Sequence, residues 1–324
     1  MSAIEVRLLR NGAEESLHRV HGVLVEMGTE APRALGDPGL EAFWRSSMKP
    51  FQALPLVEDG LFERLGLGSA ELAIACASHH GTPAHLEAAG RILAASGLGE
   101  DDLACGPHRP MDEAAARALD RSGTLPGRLH NNCSGKHAAM LAWCRDRGWD
   151  VGSYHEPEHP LQREIREGLS RWIDRPPAAL EWGVDGCGVP TPRLSIEEMA
   201  RAYGRLTASE APGPRAVVAA MTEHPSLVSG SSAFSCALVR AGGGRILAKE
   251  GAEGVFCLGV VGSGRGAAFK VRDGATRAIG PAVRFALETW GLATDGFGEA
   301  LGSFEPVVVE NTRGEPVACL TARR

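Results

Sequence analysis

The sequence predicts an α+β fold: a mixed or antiparallel sheet built from both termini and flanked by helices, with a helical region inserted between them. Three observations carry this. Strand-type alternation is concentrated near the two ends of the chain, the middle is alanine-rich with helical spacing, and the late strands are joined by glycine turns too short for crossovers.

In order, IEVRLLRNG from Ile4 and HGVLVEMG from His21 read as strands, and FQALPLVEDGLFERLG from Phe51 carries its apolar residues at helical spacing. SAELAIACAS, PAHLEAAGRILAASG and MDEAAARALDRSG, between Ser69 and Gly123, read as helices, each expected to be opened by Ser, Pro or Asp and closed by Gly. After the proline-rich passages HEPEHP and DRPPAAL, SIEEMARAYGRL begins with Ser195 three residues before Glu198, the pattern of a capping box. RILAKEGAEGVFCLGVVGSGRGAAFKVRDG reads as three strands with two turns, GPAVRFALETWGLA as a helix and EPVVVENTRGE as a tail strand. With no internal repeat and no low-complexity linker, the chain reads as one unit over residues 1–324. Its sheet region is residues 1–70 plus 225–324, and its mostly helical region is residues 71–224.

Composition narrows the function. The 324 residues include 44% hydrophobic and 23% charged, enough for a substantial core. The 34 basic residues against 40 acidic ones give a net charge of −6, and no basic block interleaved with aromatics is present, which argues against a nucleic-acid partner. The first 20 residues lack the basic start, apolar middle and small-residue cleavage site of an export signal, and no run of 18 apolar residues occurs. The expectation is therefore a cytoplasmic protein that does not engage the membrane. Eight scattered cysteines in such a chain are expected to be buried thiols, not a disulfide framework.

The stretch RSSMKP places Ser46 three residues before Lys49 and closes with Pro50. Proline belongs in the first turn of a helix, so a helix is expected to start near Met48, with Ser46 at its mouth and Lys49 on the adjoining turn. A serine there faces unpaired backbone N–H groups and the positive dipole end, which stabilise an alkoxide and an oxyanion. Lysine accepts its proton only when neutral, and moving a lysine pKa from ~10.4 to ~7 costs about 4–5 kcal/mol, which burial or a second cation must supply. The bland alternative is a helix start with a solvated lysine.

Four further segments mix glycine or proline with reactive groups: ASHHGTP (Ala77–Pro83), HNNCSGKHA (His130–Ala138), GVDGCGVPTP (Gly183–Pro192) and KEGAEG (Lys249–Gly254). Each alone is a tight turn. Cys133 lies four residues before His137, and Cys133 and Cys187 with a histidine are a possible zinc set; buried thiols are the other reading.

RSSMKPFQALPL, CASHHG, HNNCSGKHAAML, DGCGVP and KEGAEGVF, in that order, resemble the rhizobial-type (class 3) L-asparaginases, the asparaginase II family. The similarity runs from HGVLVE to FKVRDG. It implies a β-lactamase-like fold, in which S-x-x-K and a K-x-G strand are shared logic. It implies Ser46 with Lys49 as one Ser–Lys pair and Ser78 with Lys249 as a second, the two lysines depressing each other's pKa. It also implies zinc held by Cys133, Lys136 and Cys187 beside the catalytic cleft, tuning substrate binding without activating the attacking water. Arg45, His137 and Asp185 are implied binders of an amino-acid substrate, and the assembly is expected to be a homodimer. One departure is Lys249-Glu250-Gly251, where β-lactamases carry Lys-Thr-Gly; another is the serine-rich His224–Val239.

The activity implied is hydrolysis of L-asparagine to aspartate and ammonia through a serine acyl-enzyme, with Ser46 the expected nucleophile and Lys49 its base. The alternatives are acyl transfer on a β-lactam or peptide with the same fold, and a non-enzymatic zinc-stabilised binding protein. Nothing in the sequence marks a wall that would exclude glutamine, whose extra methylene is worth ~1–3 kcal/mol.

Overall fold

Ile4, Val6 and Leu8 are buried while their neighbours are not, and this period of two makes the first strand. The computed structural model describes residues 2–293 and 297–323. Its strands are β1 (Ile4–Arg10), β2 (Ala13–Glu26), β3 (Arg33–Leu35), β4 (Glu41–Phe43), β5 (Glu181–Val184), β6 (Pro190–Ser195), β7 (Ile246–Gly251), β8 (Val255–Val260), β9 (Arg265–Val271), β10 (Val307–Glu310) and β11 (Pro316–Arg323). Its helices are α1 (Lys49–Glu58), α2 (Leu61–Arg64), α3 (Ser69–Ala75), α4 (Pro83–Ala95), α5 (Glu113–Ser122), α6 (Ser134–Arg147), α7 (Pro160–Ile173), α8 (Ile196–Ala208), α9 (Pro212–Glu223), α10 (Pro225–Val228), α11 (Phe234–Ala241), α12 (Ile279–Trp290) and α13 (Phe297–Ala300). No helix among the described residues is long and apolar enough to cross a membrane. The chain divides into two compact units. One comprises Met1–Ser47, Leu194–Ala208 and Ala237–Arg324, and the other Met48–Arg193 and Ser209–Cys236.

The first unit holds an antiparallel sheet in the order β10-β11-β1-β2-β9-β8-β7, with β3 also paired to β2, so both termini contribute strands to it. Helices cover both of its faces. Gly266 on β9 meets α8 so closely that a Cβ would come within 2.0 Å of Ala200 O. Phe269, three residues further and therefore on the other face, packs against Trp290 of α12 at 5.5 Å between ring centroids. The capping box of α8 forms as its sequence reads, Ser195 N donating to Glu198 Oε2 at 2.9 Å and Glu198 N to Ser195 Oγ at 3.2 Å.

The tail contains two strands where the sequence indicated one. β10 and β11 form a hairpin, and β11 pairs with β1 from Glu5–Arg323 to Arg10–Ala318. PVACLTAR mixes a proline, alanines and an arginine into its alternation, which dilutes the strand signal.

The second unit is mainly helical. α1 starts at Lys49 with Pro50 in its first turn, as RSSMKP implies. Asp112 caps α5 by accepting from Ala115 N, and Gly123 closes it in the left-handed region. Helices α6, α7 and α9 (Pro212–Glu223) were hidden from pattern reading. α6 is buried continuously from Ser134 to Cys144, so it has no polar face to reveal a period, and HNNCSGKHA looked like a turn. α7 begins in the proline-rich passage, where His159 caps it and Pro160 fills its first position. The serine-rich stretch from His224 contains α10 and the start of α11.

Candidate active site

In the helical unit the site assembles from three segments around the first residue of α1. Lys49 is fully buried. α3 ends at Ala75, and the chain then turns through Ala77 and Ser78. The Lys49 Nζ donates to Ala77 O and lies 3.0 Å from Ser78 Oγ and 3.3 Å from Cys133 Sγ. Sequence spacing had paired Lys49 with Ser46; the serine its amine bonds is Ser78. Spacing shows which groups share one turn, whereas a lysine side chain is long enough to reach another segment.

Cys133 is the residue before α6, and Lys136 and His137 follow on its first turn. Lys136 Nζ donates to Cys187 Sγ at 2.9 Å, Cys187 arriving from the turn between β5 and β6. The hydrogen bond from Cys133 holds the Cys187 thiol far below its ordinary range, reinforced by the Lys136 charge and opposed by burial. The same bond and burial push Cys133 up to about 12. Burial disfavours the Lys136 ammonium, but the charge of the Cys187 thiolate and the hydrogen bond to it outweigh burial and raise its pKa. The cluster is thus a buried thiolate–ammonium pair with a neutral thiol beside it. Asp185, two residues before Cys187, accepts from Gly186 N at 2.8 Å and adds its charge in support of the Lys136 ammonium.

Gly135 makes the juxtaposition possible. A Cβ there would lie 2.2 Å from Ile74 O, so α6 and α3 touch backbone to backbone and bring Cys133 alongside the Ser78 loop. His79 pins that loop. Its Nδ1 accepts from Gly81 N at 3.1 Å, which leaves the proton on Nε2 to donate to Ser134 Oγ at 2.8 Å, and Ser134 Oγ in turn donates to Leu129 O. Burial, followed by the neighbouring His85 and Lys49, drives the His79 pKa well down, so the ring is neutral. His137 is likewise neutral, through burial first and then Lys136.

The sheet unit carries the other sequence candidates. Arg45 adopts φ +53°, unusual for a residue with a side chain, at the start of the turn that holds Ser46. Ser47 Oγ donates to Trp44 O at 2.7 Å, and Tyr203 Oη donates to Ser47 O at 2.7 Å, fixing that turn. β7 runs beside it, since a Cβ on Gly251 would come within 3.2 Å of Trp44 O and 3.3 Å of Ser47 Oγ. Lys249 lies within β7, opposite Cys257, fully buried, with Nζ donating to Glu250 O at 2.9 Å. The Ser46 turn and the Lys249 strand therefore share one unit, and Lys49 and Ser78 share the other.

His79, Ser134 and Tyr154 were missed by sequence reasoning. The doubled histidine after Ser78 was the available signal for the first. The chain has only two tyrosines, and both are buried with hydrogen-bonded hydroxyls.

Among the described residues no three His, Cys, Asp or Glu side chains converge as a metal set. The set of Cys133, Lys136 and Cys187 differs in drawing one ligand from lysine. Two sulfurs and the Lys136 nitrogen, which a metal would bind by displacing its proton, suit a borderline-soft dication, so the donor chemistry fits zinc.

No curated protein matches the sequence. Two solved structures of a protein called Mglu are similar. For the glutamate form the identity is 15%, with 85% of this chain and 61% of that one covered and a TM-score of 0.39. For the native form in 4.3 M NaCl the values are 17%, 86%, 63% and 0.40. The chain thus spans less than two thirds of the length of either. A family model described as L-asparaginase II matches residues 6–322, and by that match the chain belongs to the L-asparaginase II family of amide hydrolases.

Proposed function

We propose that the protein hydrolyses L-asparagine to L-aspartate and ammonia through an ester on Ser78, with Lys49 as the base. The observation that carries this reading is the 3.0 Å approach of a fully buried amine to the Ser78 hydroxyl. An uncharged Lys49 has two N–H groups and one lone pair. The N–H groups meet Ala77 O and Cys133 Sγ, and the lone pair faces the Ser78 hydroxyl.

Ser78 Oγ then attacks the side-chain amide carbon as its proton passes to Lys49 Nζ. Collapse of the tetrahedral adduct breaks the C–N bond, and Lys49 returns the proton to the departing ammonia. Water, deprotonated by the same amine, attacks the ester; aspartate leaves, and Ser78 recovers its proton. The neutral His137 is a donor for a substrate oxygen, and Asp185 a partner for the α-ammonium. Zinc, when bound by Cys133, Lys136 and Cys187, would place positive charge beside the substrate and tune its binding.

A second reading makes Ser46 the nucleophile with Lys249 as its base. The strained Arg45 beside Ser46, and the packing of β7 against that turn, favour it. Class 3 membership, the β-lactamase-like fold and a homodimer belong to the same proposal, supported by the ordered motifs of the sequence; a cytoplasmic setting is proposed with them. Ammonia release from asparagine and glutamine, measured across pH 6–10 with and without zinc, tests it. Release from asparagine that climbs with pH agrees with a lysine base, and no release from either amide refutes the function.

A further inference from the structure

Tyr154 and His137 form a buried pair whose protons follow from their neighbours. Tyr154 Oη accepts from Ala104 N at 2.8 Å, because a backbone N–H only donates. Its own hydrogen needs an acceptor in a place without solvent access, and His137 Nδ1 lies 2.6 Å away. Nδ1 therefore accepts, and the proton of the neutral imidazole rests on Nε2. The rings meet edge to face at 5.5 Å, which fixes the plane in which Nε2 points.

His137 Nε2 is shielded from solvent and has no hydrogen-bond partner among the described residues. It sits one helical turn after Cys133, on the turn that also carries Lys136. A buried donor left open beside these groups matches an incoming oxygen.

We propose that Tyr154 is a positioning residue: by donating to Nδ1 it locks His137 as an Nε2–H donor for an oxygen of the bound amino-acid substrate. This deepens the function proposed above and rests on it. Without the phenol the ring can carry its proton on either nitrogen, and the Nδ1–H form turns a bare lone pair toward a substrate oxygen.

The test is 15N NMR of histidine-labelled protein, with the His137 signals assigned through His137→Gln. The wild type should show a pyridine-like Nδ1 and a protonated Nε2; the reverse pattern overturns the proposal. In Tyr154→Phe the pattern should become mixed, with the asparagine KM raised roughly 10-fold and kcat within about twofold. An unchanged spectrum and KM in that variant overturn the proposal, even if it melts earlier, since a purely structural tyrosine would leave the ring's protons in place. If Tyr154→Phe does not fold, aspartate added to the wild type decides, because it should move the Nε2–H resonance downfield, and no movement counts against the proposal. Wild-type protein that hydrolyses no amide would defeat the proposed function, while the ring spectrum would still judge the role of Tyr154.

Discussion

Lys49 Nζ lies 3.0 Å from Ser78 Oγ while donating to the carbonyl oxygen of Ala77, the residue immediately before that serine. One buried amine therefore both grips the loop and faces its hydroxyl. Lys49→Arg, permanently charged and without a lone pair, should lower ammonia release roughly 10³-fold or more. Lys49→Met should lose activity equally and also destabilise the fold by about 1–3 kcal/mol, because Ala77 O is left unpaired. Steady-state assays and urea unfolding check the two effects separately.

Gly135 should tolerate no side chain. Its Cβ would fall 2.2 Å from Ile74 O, a backbone atom with little room to yield. Gly135→Ala is expected to cost at least about 1–3 kcal/mol and to reduce kcat, since α6 must move away from the Ser78 loop. Thermal unfolding and turnover of the same preparation test this. Wild-type values in both would show that the close approach is unimportant.

Acid should weaken the fold through its buried histidines. Both His79 and His137 have pKa values held well below the ordinary value, chiefly by burial, so between the folded and unfolded pKa the unfolded chain binds more protons. Their contribution is complete above about pH 6.5 and declines as the pH falls below it, by up to about 1.4 kcal/mol per pH unit for each ring. The decline just below pH 6.5 precedes the titration of most carboxylates. Denaturant unfolding across it should show a shallower slope for His79→Gln than for wild type, and equal slopes would contradict the assignment.

Removing Cys187 should leave Lys136 as a buried charge without its anion. Lys136 is 3% exposed and its amine lies 2.9 Å from that sulfur. Cys187→Ala should therefore cost roughly 3–5 kcal/mol in metal-free protein and, if the proposed zinc site is real, should bind less zinc than wild type. Metal analysis after dialysis and unfolding with a chelator present measure the two outcomes.

Much of this was legible in the sequence, for identifiable reasons. Pro50 announced the start of α1, Ser195 and Glu198 the start of α8, and alternating side chains the strands at both ends. The helix α6 was invisible because burial on every side erases the amphipathic period, although it carries Lys136 and His137. The partner of Lys49 was also out of reach, since a bond from residue 49 to residue 78 depends on how α1 and α3 pack. The role of Gly135 was equally hidden, because a close approach of two helices leaves no trace in the residues around it. Tyr154 gave no motif at all, and its relation to His137 emerges only from tertiary hydrogen bonds.

The most direct measurement locates the covalent intermediate. Protein mixed with asparagine, quenched in acid and digested, should yield an aspartyl ester on the peptide containing Ser78, absent from Lys49→Arg. An ester on the Ser46 peptide instead, or a Ser78→Ala variant that forms the ester as readily as wild type, would contradict the account.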